Sequence, residues 1–412
     1  MLDSQKISSF IALKRKEMRL TQAEIAEKLK VSYQAVSRWE NGTIPNVEIL
    51  VELARLLNVS VDTLLNGGDR VTYEQANVDL AYLAALRKGI AAHLTVDSRI
   101  TNKSAAQTTF YDIQFLDMES PVLVTSSGWY GAKCELAARY GYNELAGNDI
   151  VNDLVSNIIA AGAKPLVITD CIAVEEADEN VILSIMKGVS YACKENHCSL
   201  IGGSTCFSPY TLHKGTYMIS ANAMGIVPRK QLLDGSAICD GDVILAVASN
   251  GLHTNGYTFI HVLIEKMPLI KKEIVAGETF LEQIMKPHVS YYEALSPMMG
   301  REDIHGIVHH SWGRSHLRRL LSDGLCAEIN LNRVRPLPIF SYIKRAGNIT
   351  EHEMLSSFNC GMGMWLVVAK ESAGEIISLV GRHFDCYEVG KIKAGSLGSE
   401  KVLYKGQINW YT

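Results

Sequence analysis

Apolar positions in the first seventy residues recur three and four apart, in short blocks separated by breaks. Ala23, Ile25, Ala26 and Leu29 fall at helical spacing and predict a helix from about Thr21 to Lys30. Thr21 stands at its start with Glu24 three residues on, the spacing of a capping box. After a break at Lys30–Val31, Ser32 is placed to cap a second helix, Tyr33 to Glu40, which the Asn41-Gly42 pair ends. Ala35, Val36 and Trp39 face inward on it, leaving Gln34, Ser37 and Arg38 on the outer face. Two short helices joined by a tight turn have the outline of a helix-turn-helix, and such polar side chains can pair with base edges in a major groove. A plain helical hairpin with a solvated face shares that outline.

From Val71 onward the pattern changes. Extended stretches are expected at 121–127 (PVLVTSS), 165–174 (PLVITDCIAV), 199–205 (SLIGGST), around 217–227 and at 242–249 (DVILAVAS). Helical patterns lie between them, near 149–161 and 181–195. Strands mixed with helices in this way predict two α+β layers, not a barrel or a bundle. Turn residues gather at Asn66-Gly67-Gly68-Asp69 and again across 228–241. These breaks suggest an all-α domain over 1–66, a linker at 67–70, and a two-part α+β domain divided into 71–234 and 235–412. A four-residue flexible linker has an r.m.s. span of only ~11 Å, so the first domain is closely tethered.

Composition narrows the class. The chain has 412 residues, 47% of them hydrophobic and 20% charged, which suits a soluble globular protein of two or three domains. No apolar run of about 18 residues spans a bilayer, no secretory leader is evident, and nine cysteines lack paired spacing. A cytoplasmic protein with no membrane partner is expected. Cys193, His197, Cys198 and Cys206 cluster, but their spacing fits no zinc pattern, so they read as packing thiols. The net charge of −4 excludes a protein that coats nucleic acid by bulk charge. Residues 1–40 nevertheless carry eight Lys or Arg against five acids, where phosphate contacts are expected.

Residues 7–66 resemble a whole domain of the Cro and phage-repressor type, the XRE helix-turn-helix family. The likeness rests on IALKRKEMRLTQAEIA, SYQAVSRWENG, IPNVEILVELARLLNVS and VDTLL. It implies double-stranded DNA as partner. Gln22 takes the position of a phosphate contact, and base or backbone contacts pass to Ser32, Tyr33, Gln34, Ser37, Arg38 and Asn41.

Residues 70–395 resemble aminoimidazole ribonucleotide synthetase, the phosphoribosylformylglycinamidine cyclo-ligase of purine synthesis. TYEQANVD (72–79), GGST (202–205), DGDV (240–243), NGLHTNGY (250–257), AGN (346–348), HEM (352–354) and FNCGMGM (358–364) stand in family order. The resemblance implies a two-part α+β subunit, dimeric through its sheets, with a cleft for ATP and a phosphoribosyl substrate. Several loops depart from the family. TSSGWYGAK puts Gly128 where an Asp stands and Ala132 where a Thr stands, keeping Lys133; V-N-D becomes Val155-Ser156-Asn157; G-G-E-T becomes Gly202-Gly203-Ser204-Thr205; T-G-G-G becomes Ser311-Trp312-Gly313-Arg314.

Mg²⁺ prefers carboxylate oxygens and neutralises phosphate charge in phosphoryl transfer. Loss of the acids at 128, 157 and 204 therefore predicts a catalytically disabled domain with no catalytic residues and no metal ligands. Its cleft is expected to hold a nucleotide or phosphoribosyl effector through Lys133, Asn157, Gly202, Gly203, Ser204, Thr205, His253, Asn255 and Arg314, with no certain cofactor. The expected protein is a transcriptional regulator acting as a homodimer on an inverted-repeat operator, half-sites roughly 34 Å apart or a multiple of that. Two alternatives use the same residues: an active cyclo-ligase with an added DNA-binding domain, and a regulator whose large domain only dimerises it.

Overall fold

The structure, a computed structural model, describes residues 3–68, 80–101, 108–113, 118–176, 178–311, 316–395 and 401–410. The chain divides into two compact units, one running to Arg87 and the other from Lys88.

The first unit is built on short capped helices. Helix α1 (Ser4–Glu17) starts at Asp3, whose carboxylate accepts from the Gln5 and Lys6 backbone N–H groups. Helices α2 (Gln22–Lys28) and α3 (Tyr33–Trp39) form the helix-turn-helix. Thr21 and Glu24 make both halves of the capping box, and Ser32 Oγ accepts from the Ala35 N–H. The α2 helix stops short of Lys30 because Lys30 turns left-handed (φ 55°) and Val31 N–H returns to Ala26 O. Helices α4 (Val47–Leu56) and α5 (Val61–Leu65) are capped by Asn46 and Ser60. Ile7, Ile11, Ile25, Val36, Leu53 and Leu64 are wholly buried in one core. Each such side chain contributes about 1.5–3 kcal/mol, which offsets the weak intrinsic stability of seven-residue helices.

Helix α6 (Leu80–Ala91) runs across the division between units. The large unit then opens with a small antiparallel pair, β1 (Ile100–Thr101) and β2 (Phe110–Tyr111). Its first half continues with β3 (Pro121–Trp129), α7 (Lys133–Tyr140), α8 (Asn143–Ala160), β4 (Lys164–Val174), α9 (Glu179–Glu195), β5 (Ser199–Phe207) and β6 (Tyr217–Pro228). The sheet order is β3-β6-β4-β5, with only β4 and β5 parallel. Helix α8 packs on β3, β4 and β6, and α9 packs on α8 and β5. The two helices cross backbone to backbone: a Cβ on Gly188 would lie 1.8 Å from Glu144 O, and one on Gly147 would lie 2.1 Å from Ile185 O. The opposite face of the sheet is open toward β3, where Leu123 and Trp129 are exposed opposite Ile226 and Ser220 of β6.

The second half comprises β7 (Val243–Ala248), α10 (Tyr257–Lys266), the short pair β8 (Ile274–Val275) and β9 (Glu278–Thr279), α11 (Phe280–Ile284), α12 (Tyr292–Leu295), β10 (Ile304–His309) and α13 (His316–Leu320). There follow β11 (Leu325–Asn330), α14 (Pro338–Gly347), α15 (Glu351–Ser357), β12 (Met362–Val368), α16 (Ala373–Val380), β13 (Cys386–Ala394) and β14 (Val402–Lys405). Six strands pair in the order β10-β12-β7-β13-β11-β14. Every residue of β12 is buried, which explains its unbroken apolar run MGMWLVV. A helical first unit followed by mixed sheets layered with helices agrees with the expected fold class.

Candidate functional site

Helix α8 positions the site because it has to satisfy polar groups on a buried surface. Asn148, Asn152 and Ser156 stand four residues apart, as do Asp149, Asp153 and Asn157, so each set lies along one stripe of the helix. Ile150, Val151, Leu154, Val155, Ile158 and Ile159 pack elsewhere on it and are buried. The polar stripes find partners in the loop after β7, the segment before α12, and the end of β10.

Lys133 and Asp149 form a fully buried ion pair of 2.6 Å. Asp149 also accepts from the Tyr130 hydroxyl at 3.0 Å and from the His288 backbone N–H at 2.7 Å. Burial pushes the Asp149 carboxyl up and the Lys133 ammonium down, while their mutual attraction opposes both shifts. Asn152 donates to His288 O at 2.7 Å and accepts from Asn196, which in turn accepts from Ser290. Thr254 donates to Asp153 at 2.8 Å, and Asn255 donates to the Thr254 hydroxyl. Burial pushes the Asp153 carboxyl up, and the Thr254 hydrogen bond opposes that shift. Asn157 donates to Ser126 Oγ, and its Oδ1 lies 3.1 Å from His309 Nδ1. His309 and His288 bring their Nε2 atoms to 3.2 Å, and His288 stacks on His253 at 4.0 Å between ring centroids.

The residues expected to contact an effector do not all meet. Lys133 is engaged inside the fold, because its three donors go to Asp149, His253 O (3.0 Å) and Lys286 O (2.7 Å). Asn157, His253 and Asn255 do gather around α8. Gly202 to Thr205 instead run along edge strand β5. The register places Ser204 beside Cys171 and Ser220, on the open side of the sheet with exposed Trp129. Gly203 is paired with Asp170 on the other side, and a Cβ there would lie 1.9 Å from Asp170 Oδ1. The glycine is required by that carboxyl, which burial pushes up to about 7 and whose Oδ2 has no partner among the described residues. Arg314, Trp312 and the stretch 72–79 lie outside the described residues.

The packing-thiol reading divides. Cys193 and Cys198 are buried, with Cys198 Sγ on Cys193 O, whereas Cys206 is exposed and His197 pairs with Glu293. His288, His309, Asn152 and Asn196 were not singled out by sequence. The four-residue spacing along α8 was the available signal for Asn152; nothing local marks His288 or His309.

On the helix-turn-helix, Gln34 and Arg38 are exposed, Tyr33 is half-exposed and Ser37 is partly covered. Ser32 is engaged as a cap, and Asn41 donates to Ser37 O. Gln22 donates to Glu40 at 2.8 Å, and Arg15 clamps the same carboxylate through two bonds. That cluster fixes the start of α2 against the end of α3.

Residues 11–64 match the helix-turn-helix family model, 116–227 the AIR synthase related protein N-terminal domain, and 240–402 its C-terminal domain. Curated relatives named phosphoribosylformylglycinamidine cyclo-ligase include one from Bacillus cytotoxicus, 31% identical over 82% of this chain and 98% of its own length. Another, from Geotalea uraniireducens, is 32% identical over 81% of this chain and 98% of its own. Among solved structures, hydrogenase maturation protein HypE in complex with ATP aligns at a TM-score of 0.58, with 14% identity, over 79% of this chain and 91% of its own. Thiamine-monophosphate kinase from Stenotrophomonas maltophilia aligns at 0.56, with 16% identity, over 81% and 98%. These structures share the fold. Among the described residues, no helix is long and apolar enough to cross a membrane. The expectation that the large domain is not an enzyme is overturned: curated relatives that match along nearly their whole length are named as cyclo-ligases, and both AIR synthase halves are present. The altered loops at Gly128, Asn157 and Ser204 do not take the chain out of that company.

Proposed function

Because this chain belongs to the AIR synthase-related family of phosphoribosylformylglycinamidine cyclo-ligases, we propose that its large unit is a cyclo-ligase-type enzyme and that the preceding helix-turn-helix binds DNA. The observation that carries this reading is the extent of the match, 30–32% identity through both halves and over 96–98% of three relatives' own lengths. An enzyme of this kind works on a phosphoribosyl substrate with ATP. Magnesium, when bound, neutralises phosphate charge and needs hard oxygen donors. Asp153 on α8 suits that role, with the Thr254 hydroxyl beside it. Asp149 does not, since Lys133, Tyr130 and the His288 N–H occupy it.

Exposed Gln34 and Arg38, carried on a helix whose other face is buried, support base readout. The open sheet face with Leu123 and Trp129 supports pairing of two copies, so that two readers meet an inverted repeat and gain avidity. A nucleotide or phosphoribosyl ligand in the large unit is then the effector of a regulator that is also an enzyme. The test is to give the untagged full-length chain phosphoribosylformylglycinamidine, ATP and Mg²⁺ and follow phosphate release. Substrate-dependent release is expected, and its absence overturns the enzymatic reading. Selection from random DNA should enrich an inverted repeat, and no enrichment removes the DNA-binding reading.

A further inference from the structure

We propose that His253, His288 and His309 form a binding site for a transition-metal cation of the zinc class, inside the large unit and separate from any magnesium. The three side chains come from the loop after β7, the segment before α12 and the last position of β10. All are buried, at 1%, 1% and 2% exposure, and one ring nitrogen from each lies within 4.8 Å of the others.

The convergence of three buried rings carries the argument, and their hydrogens are compatible with it. His288 Nδ1 lies 2.8 Å from Val289 O, an atom that only accepts, so Nδ1 bears the hydrogen. His309 Nδ1 lies 3.1 Å from Asn157 Oδ1, in the arrangement in which the Asn157 amide donates to Ser126 Oγ. In that arrangement the His309 Nδ1 bears the hydrogen as well. A neutral imidazole has one N–H, so the two Nε2 atoms carry lone pairs, and they face each other at 3.2 Å. Two lone pairs at that separation repel unless a cation lies against both. His253 adds a second, independent sign: both its ring nitrogens are buried with no partner among the described residues, an arrangement native interiors avoid.

Geometry and donor type then select the metal. Bonds of about 2.0–2.1 Å to imidazole put tetrahedral ligand atoms about 3.3–3.4 Å apart, near the 3.2 Å observed between His288 and His309. His253, stacked on His288, supplies the third ring nitrogen, within 4.8 Å of the other two. Val289 O and Asn157 Oδ1 take the far N–H groups, the outer shell that orients metal-bound histidines. Three neutral imidazoles with no carboxylate favour zinc-class ions over Mg²⁺ or Ca²⁺ and leave a fourth position for water or another ligand. The neighbouring Lys133 ammonium is balanced by Asp149. The other candidate cluster, Cys239, Asp242 and His305, is already satisfied by hydrogen bonds to Asp242.

The experiment uses untagged full-length protein stripped with a chelator, then titrated with Zn²⁺ and, separately, Co²⁺. Elemental analysis should find one zinc per chain, and X-ray absorption should show imidazole nitrogen with no sulfur. The Co²⁺ form should show the visible bands of a four-coordinate site. His253→Gln and His309→Gln should each weaken zinc binding at least about tenfold, and His305→Gln should leave it unchanged. Circular dichroism and thermal unfolding of each variant separate loss of a ligand from loss of the fold. If a variant does not fold, the spectra of the unsubstituted protein decide alone. Absence of bound zinc at micromolar concentration, sulfur in the first shell, or zinc binding untouched in folded His253→Gln and His309→Gln overturns the proposal.

Discussion

In the helix-turn-helix unit, Gln34 and Arg38 stand in solvent above a core that includes Ile7, Ile11, Ile25 and Leu53. In the large unit, Lys133, Asp149, Asn152, His253, His288 and His309 are sealed in the interior. The first arrangement leaves polar groups free for a partner and lets apolar burial hold the fold. The second uses polar groups to join α8 and β3's following helix to loops of the other half, over sequence separations above a hundred residues. A substitution on the reader's outer face should therefore change binding and spare stability. One in the buried seam should do the reverse first.

The largest effect is expected at the ion pair. Lys133→Met leaves Asp149 charged and uncompensated in the interior, which should cost about 3–5 kcal/mol in chemical unfolding. Replacing Asp149 by Leu as well should recover part of that loss, because no lone charge remains. A cost under ~1 kcal/mol for Lys133→Met would erase the contrast between the units.

Acid sharpens the same contrast. Burial pushes His309 and His310 each to about 3 in the folded unit, against about 6.5 unfolded. Their folded values lie below their unfolded ones, so the stability they contribute is full above about pH 6.5. As pH falls from there toward 3, the unfolded chain binds protons first, and each histidine removes about 1.4 kcal/mol per pH unit. Residues 1–66 contain no histidine. Asp170, pushed up to about 7, takes up its proton in the folded unit over the same range and offsets about one of the two histidines. Separate unfolding transitions of chelator-stripped protein, followed between pH 6.5 and 5, should show the large unit weakening while the reader stays level.

At the reader, Arg38→Ala should cost ~1–3 kcal/mol on the preferred DNA site, with thermal stability changed by no more than about 0.5 kcal/mol. Loss of stability without loss of discrimination would mean Arg38 is part of the fold. The smallest effect concerns local structure: Ser32→Ala removes the acceptor for the Ala35 N–H and should cost about 1 kcal/mol of the first unit's stability. Competition titrations and denaturant curves on the same preparations measure both.

Sequence alone determined the parts whose physics is local. The caps at Thr21 and Ser32, the helices they start, and strands such as Pro121–Trp129 and Lys164–Val174 depend on neighbours within a few residues. Hydrophobic period and capping chemistry encode them directly. Tertiary structure alone decided what the polar residues of the large unit touch. Lys133 as an anion contact was a sound reading of a lysine after a glycine-bearing loop, yet Asp149, His253 O and Lys286 O take its donors. Sheet register, with its two-residue period, sent Ser204 to the open face and set Gly203 against Asp170. His288 and His309 have no spacing that marks them, and they meet only because β10 and the segment before α12 pack beside α8. A side chain carries its own chemistry along the chain, but its partner is assigned by packing between segments that local patterns do not relate.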